Sequence, residues 1–151
     1  MSKERKEANQ GLPSLDDYDY CFACGVNNPI GLHMEVQYAP ESARTCITLP
    51  RQFEGWKDII HGGIVATLLD EIMAHAVLHH VGDAVTTALT VSYRSALKVD
   101  QQVEIIGRVK ERNKRSVVAE AEMRSTDGAK LLAKAESRFI LLSGLLPRSS
   151  L

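Results

Sequence analysis

Aromatic side chains are scarce in this chain, which has one Trp, four Tyr and three Phe among 151 residues. Proteins that bind single-stranded nucleic acids stack the bases on aromatic rings, and proteins that bind duplexes present a basic face. The 18 basic and 19 acidic residues give a net charge of −1, which favours neither kind of surface. We therefore expect no nucleic-acid partner.

Cysteines and long apolar runs are also few. The three cysteines form no disulfide framework, and their odd number favours a reducing compartment. The longest apolar stretch, residues 59–78, is interrupted by Asp70, Glu71 and His75 and predicts no membrane span. Residues 1–11 lack the apolar stretch of a secretory signal. These features predict a cytoplasmic protein without a membrane partner.

The length and the 44% hydrophobic content suit one domain with a sizeable core. The polar start of the chain predicts a disordered N-terminal segment over residues 1–15. The stretch around Pro147 predicts a flexible tail over residues 146–151. We expect a single domain over residues 16–145.

Hydrophobic periodicity predicts an α+β fold. Alternation from Leu32 to Tyr38 predicts a first strand, Thr45–Leu49 a second, and the apolar run from Gly62 to about His80 a long helix. Four more strands follow, separated in two places by the turn sequences Asn113-Lys114 and Asp127-Gly128, at residues 85–95, 101–112, 115–125 and 130–142. Short turns imply antiparallel pairing. A curved antiparallel sheet of five to six strands around one long central helix satisfies this pattern.

The start of the predicted helix carries the clearest functional pattern, His61-Gly62-Gly63 followed by Asp70. Glycines permit close approach to the backbone, and the free N–H groups of a helix start attract negative charge. A carboxylate within an apolar helix is costly unless it is paired or used. An oxyanion-binding helix end and a carboxylate are the two parts that an acyl-transfer site needs.

Three motifs together carry a family resemblance. They are His61-Gly62-Gly63 with Asp70 nine positions after the histidine, Cys21-Phe22-Ala23-Cys24-Gly25 with Asn28-Pro29 and Gly31-Leu32, and the strand Thr86–Tyr93. Over about residues 20–142 the chain resembles the hotdog-fold thioesterase superfamily, specifically the 4-hydroxybenzoyl-CoA and phenylacetate-pathway type. The resemblance implies a hotdog fold and hydrolysis of a small acyl-CoA or aryl-CoA without a cofactor.

The resemblance also implies a homodimer, or a homotetramer built as a dimer of dimers, with its sheets joined edge to edge and its active sites at the interface. Helix geometry agrees, because Gly62 and Asp70 lie roughly 12 Å apart along one helix. An oxyanion donor and a nucleophile must both come within about 3 Å of one carbonyl. If both residues act on one thioester, they come from different subunits.

The resemblance suggests roles for individual residues. Asp70 is the expected nucleophile or general base, with Glu71 as the alternative carboxylate. The N–H of Gly63, or of Gly62, is the expected oxyanion donor, and Thr86 is expected to orient the attacking water. His61 is also a candidate site residue, and the alternative is a purely structural role in which its ring fixes the loop. Four cations at strand ends are candidates for binding the phosphates of CoA: Arg94, Lys98, Arg112 and Lys114.

Two patterns permit metal binding. Cys21 and Cys24 form a C-x-x-C pair, and Glu71, His75 and His79 share a helix face at four-residue spacing. No second C-x-x-C accompanies the first, so we interpret the cysteines as part of a structural loop. We interpret the helical residues as a polar seam and expect no metal.

Two alternatives to the thioesterase are considered. The first is a hotdog enoyl-CoA hydratase or dehydratase, in which His61 would act as a catalytic histidine, although the usual motifs of those enzymes are absent. The second is an acyl-CoA-binding protein without catalysis. Chain length and aromatic preference depend on how the pocket packs and are left open.

Overall fold

The computed structural model describes residues 18–142. One helix, α1 (Gly62–His80), packs on a six-stranded antiparallel sheet in the order β1-β2-β4-β5-β6-β3. The strands are β1 (Gln37–Ala39), β2 (Ser42–Thr48), β3 (Ala84–Tyr93), β4 (Gln102–Arg112), β5 (Ser116–Ser125) and β6 (Leu131–Leu141). The central helix and the antiparallel sheet are as the sequence predicts. The terminal segments expected over residues 1–15 and 146–151 lie outside the described residues.

Helix α1 lies against β2 to β6 and forms the middle of the core. Its inward face is fully buried along Leu68, Leu69, Ile72 and Met73. The helix approaches the sheet most closely at Gly107, where a Cβ would lie 2.8 Å from the carbonyl oxygen of Ile72. A glycine in the middle of β4 therefore allows the helix backbone to rest on the sheet.

The predicted first strand over residues 32–38 is wrong in its extent, since only residues 37–39 form β1. His33 has a φ of 54°, which places it in the left-handed region and interrupts an extended strand. The amides of Leu32 and Met34 instead donate to Phe22 and Ala23 carbonyls. The alternation of apolar residues there reflects a loop that buries every second side chain, not a strand.

The later elements match their predictions closely. Asn113 shapes the β4–β5 turn by accepting hydrogen bonds from the amides of Arg115 and Ser116. Gly128 takes a φ of 75° in the β5–β6 turn. Strand β4 buries Val103, Ile105 and Gly107 on one face. Among residues 18–142, no helix is long and apolar enough to cross a membrane.

Strand β3 forms one edge of the sheet and pairs only with β6 among the described strands. Six consecutive residues from Val85 to Thr90 are exposed. The opposite edge, β1, is only three residues long. Long exposed edges are normally covered in native proteins, because their free N–H and C=O groups recruit another strand.

Candidate active site

His61 caps the start of α1. Its Nδ1 atom accepts a hydrogen bond of 2.8 Å from the Gly63 amide, and its carbonyl accepts from the amides of Ile64 and Val65. Within the described residues, the Gly62 amide is left as the first N–H of the helix without a protein acceptor. The Gly63 N–H, the first expectation for the oxyanion donor, thus has a protein acceptor, whereas the Gly62 N–H, the second, has none among the described residues.

Tyr93 bonds the carbonyl group of Gly62. Its hydroxyl donates a hydrogen bond of 2.7 Å to the Gly62 carbonyl oxygen, joining the end of β3 to the start of α1. Tyr93 closes the strand motif of residues 86–93, but sequence reasoning gave it no role. No spacing rule indicates this contact, because it depends on the angle at which the helix crosses β3.

An apolar cavity of about 730 Å³ opens beside the helix start. Gly62, His61 and Tyr93 line its mouth side, and the remaining lining is mostly apolar, including Val65, Met123, Leu132, Ile60 and Leu97. Pockets for small ligands are commonly of this size and are apolar with a few polar groups. The cavity therefore suits an apolar group whose polar end reaches the Gly62 amide.

Asp70 and Thr86 form a pair at the other half of β3. The Thr86 hydroxyl donates a hydrogen bond of 2.9 Å to Asp70 Oδ1. The β3–β6 register shifts between Thr86 and Ala88, and the bulged residue, Thr87, bonds the Arg138 carbonyl instead. Bulges of this kind re-aim side chains next to functional sites. The Thr86 hydroxyl, expected to orient the attacking water, thus bonds the Asp70 carboxylate itself.

The protonation of Asp70 is set by opposing effects. Burial raises the pKa of Asp70 above its usual range, the hydrogen bond from Thr86 lowers it, and the nearby charge of Glu71 raises it again. Burial dominates, and the net direction is upward. A carboxylate with a raised pKa is a stronger base than an exposed one, which suits a group that removes a proton or attacks a carbonyl.

Glu71 faces a different part of the molecule. Its Oε1 atom lies 3.3 Å from His75 Nε2 and accepts a hydrogen bond of 3.5 Å from the Cys21 thiol. Burial raises the pKa of Glu71, but the bonds from His75 and from the thiols of Cys24 and Cys21 outweigh it, so the net direction is downward. The alternative carboxylate is therefore engaged by the cysteine loop, and the Thr86 hydroxyl bonds Asp70 instead.

The four candidate phosphate-binding cations do not form one patch. Arg94 and Lys98 flank residues 95–97, which line the cavity. Arg112 pairs with Val117 across β4 and β5, and Val117 and Thr86 both pair with the same residue of β6. Arg112 therefore lies at the Thr86 end of the sheet, and Tyr93 lies at the other end of β3. Lys114 lies in the adjoining turn. Only the first two cations lie next to the cavity.

Comparison with known proteins identifies the family of the chain. The sequence pattern of the thioesterase superfamily matches residues 57–132, half of the chain. The acyl-coenzyme A thioesterase THEM4 of Xenopus laevis is 29% identical over 103 residues, which are 68% of this chain and 46% of that protein. The chain thus spans less than half the length of this curated relative.

Solved structures of the same superfamily share the fold. Thioesterase superfamily member 2 of zebra fish superposes with a TM-score of 0.70 at 22% identity, covering 86% of this chain and 99% of that one. A hypothetical thioesterase from Streptococcus pneumoniae, solved with coenzyme A, gives a TM-score of 0.67 at 20% identity, with 71% and 84% covered. These likenesses confirm the predicted hotdog fold. By its sequence pattern and its fold, the chain belongs to the thioesterase superfamily.

Proposed function

We propose that the protein is an acyl-CoA thioesterase whose active sites are shared between two copies of the chain. One observation carries this proposal: strand β3 joins the Asp70 end of the site to the Gly62 end, and among the described strands its other edge is unpaired. Thr86 near its start bonds Asp70, and Tyr93 at its end bonds the Gly62 carbonyl. Within one chain, Asp70 and Gly62 lie too far apart along α1 to act on the same carbonyl.

Pairing β3 with its own copy would bring the halves together. In an antiparallel pair with the two-fold axis near Leu89 and Thr90, Thr86 lies opposite Tyr93 of the partner subunit. Asp70 then faces Gly62 of the partner subunit. The exposed Val85 and Leu89 side chains, 37% and 38% exposed, would be covered at this interface. A two-fold dimer contains two such sites, since the same patch is used by both subunits.

The proposed reaction needs no cofactor, because a thioester is already activated for acyl transfer. The partner's Gly62 N–H would stabilise negative charge on the carbonyl oxygen. The Asp70 carboxylate either removes a proton from water as that water attacks the carbonyl carbon, or attacks the carbon itself to give an anhydride that water opens. In both routes the C–S bond breaks, and the CoA sulfur leaves with the bonding electrons and takes up a proton.

The cavity and the relatives support the proposed substrate class. An apolar pocket of about 730 Å³ suits a small acyl or aryl group. One relative is named as an acyl-coenzyme A thioesterase, and one structural neighbour was solved with coenzyme A. Arg94 and Lys98, which flank the segment lining the cavity, are the candidates for the CoA phosphates.

The proposal is tested by following the release of free CoA thiol from short, medium, long and aromatic acyl-CoAs. A blank with protein alone corrects for the three cysteines, of which Cys46 is exposed. We expect turnover of at least one class with a rate proportional to enzyme concentration. CoA binding without release from any of them would contradict hydrolysis and favour an acyl-CoA-binding protein. Loss of enoyl-CoA absorbance would favour the hydratase.

Thr86 is expected to act as a positioning residue for Asp70. Thr86→Val keeps the side-chain shape but removes the hydroxyl donor, and should lower kcat by about 10- to 100-fold, the worth of one hydrogen bond to a charged group. Thr86→Ser retains a hydroxyl and should recover most of kcat. Steady-state assays should separate kcat from KM. Equal losses in both variants would indicate a packing role instead.

A further inference from the structure

A second polar cluster lies where the loop of residues 18–34 packs on α1, on a helix face that is turned about 100° from Asp70. Two thiols and a carboxylate oxygen, from Cys21, Cys24 and Glu71, all lie within 4.8 Å of one another. His75 adds a ring nitrogen 3.3 Å from the same carboxylate. The thioesterase mechanism above uses none of these groups.

We propose that Cys21, Cys24, Glu71 and His75 form a structural zinc site that fastens the cysteine loop to the central helix. Two thiolates, a carboxylate oxygen and an imidazole nitrogen are all ligands of Zn²⁺, and structural zinc sites use four protein ligands. Sequence reasoning treated the C-x-x-C pair and the helical Glu–His pair separately, and the fold brings them together. The site does not depend on the proposed catalytic function.

The ligand atoms of Cys21, Cys24 and Glu71 lie within 4.8 Å of one another, and the His75 ring, which contacts Glu71, would move toward the thiols to complete a tetrahedral set. Zinc–sulfur bonds of about 2.3 Å and zinc–nitrogen or zinc–oxygen bonds of about 2.0–2.1 Å place neighbouring ligand atoms about 3.3–3.8 Å apart. Cys21 Sγ lies 3.5 Å and His75 Nε2 lies 3.3 Å from Glu71 Oε1. Both contacts already have the length of a tetrahedral edge, so Glu71 is placed between the cysteine loop and His75, and binding would draw the His75 ring nearer to the two thiols.

The cysteine loop is built to hold its thiols in place. The Gly25 amide bonds the Cys21 carbonyl at 2.8 Å, and a Cβ at Gly25 would lie 2.6 Å from that oxygen, so only glycine fits. Asn28 ties the loop further, donating to the Tyr20 carbonyl and accepting from the Ile30 amide. Preorganised ligands of this kind reduce the ordering cost of binding.

The two ligands from α1, Glu71 and His75, are also held in place by their surroundings. Glu71 and His75 are four residues apart and therefore lie on one face of α1. Their side chains are only 19% and 8% exposed. The second ring nitrogen of His75 is 2.6 Å from the Tyr38 hydroxyl, which leaves Nε2 directed at the cluster. Zinc-binding histidines commonly have their other nitrogen bonded in this way.

Binding would replace two S–H bonds by two S–Zn bonds and release two protons to solvent. With four protein ligands the ion has no open position, so its effect would be on stability and not on catalysis. The experiment uses the full-length untagged protein, reduced and freed of metal by a chelator. Zn²⁺ is then added, and unbound Zn²⁺ is removed by gel filtration. Bound zinc is measured by inductively coupled plasma mass spectrometry.

We expect one Zn²⁺ per chain in the wild type and in Cys46→Ser, the matched control at the exposed third cysteine. Cys24→Ser should retain less than about a tenth of that zinc, because a ligand matters at least as much as the supporting residues, which are worth about 10- to 100-fold in affinity. Co²⁺ should give the visible bands of a tetrahedral thiolate complex with the wild type. Zinc should raise the wild-type Tm.

Three results would overturn the proposal. One is a folded, reduced wild type that binds neither Zn²⁺ nor Co²⁺ in stoichiometric amount. Another is equal zinc in Cys24→Ser and the wild type. The third is a Cys21–Cys24 disulfide in the isolated protein together with no metal binding after its reduction. If Cys24→Ser does not fold, the wild-type zinc content and the Co²⁺ spectrum decide the question alone.

Discussion

Asp70→Asn is expected to lower kcat for thioester hydrolysis by about 10²- to 10⁴-fold, the usual contribution of a positioned acid–base group. Asn has nearly the same shape, and its amide oxygen can still accept the hydrogen bond that Thr86 donates to Asp70 Oδ1. The substitution therefore removes charge and basicity while it keeps the local packing. Loss of activity would then report on chemistry rather than on folding.

The measurement is steady-state CoA release with the best substrate of the acyl-CoA panel. Glu104→Gln is the matched control, since it makes the same carboxyl-to-amide change at a partly exposed ion pair with Arg44 on the β2–β4 part of the sheet. Circular dichroism and light scattering should show that both variants fold and assemble like the wild type. If Asp70→Asn retained wild-type kcat with these controls satisfied, the carboxylate role of Asp70 would be wrong.

The fold was largely predictable because its elements follow simple periodicities. The helix of residues 62–80 has an apolar run bounded by a capping residue and by Gly82, and the β4–β5 and β5–β6 hairpins carry recognisable turn residues. The prediction of the first strand was wrong because alternation alone does not distinguish a strand from a loop that buries alternate side chains. The left-handed φ of His33 separates the two. Histidine is enriched in this region, but it adopts it too rarely for the sequence to predict it.

The candidate site was predictable in its residue types but not in its contacts. Spacing on one helix made Asp70 and the glycines candidates. Which glycine amide has a protein acceptor depends on the His61 ring, which accepts from the Gly63 amide. The approach of Cys21 to Glu71 joins positions 50 residues apart. Such contacts depend on how a loop packs on the finished fold, which local sequence patterns do not determine.

Gly62→Pro is expected to lower kcat by about 10²- to 10³-fold, the cost of removing one oxyanion donor. Gly62 is the first residue of α1, a position where proline is well tolerated because its missing N–H has no helical partner. His61 before it has φ −55° and ψ 134°, which a residue preceding proline readily adopts. The substitution thus removes the N–H group with little effect on the helix.

Gly62→Ala is the matched comparison, because it adds a methyl group and keeps the amide. Its Cβ would lie 3.6 Å from the Tyr93 ring, an ordinary contact distance. We expect the alanine variant to lose much less activity than the proline variant. Similar losses in both would show that crowding at the helix start, and not the N–H group, explains the effect.

Mixing the two inactive variants tests whether the site is shared. Exchange of subunits between Asp70→Asn and Gly62→Pro would give mixed dimers in half of the molecules. Each mixed dimer would carry one site with both substitutions and one site with neither. Activity should therefore recover to about a quarter of wild type after exchange. If both residues served one site within a single chain, no mixture would recover. Recovery would thus establish both the dimer and the pairing of Asp70 with Gly62 of the partner subunit.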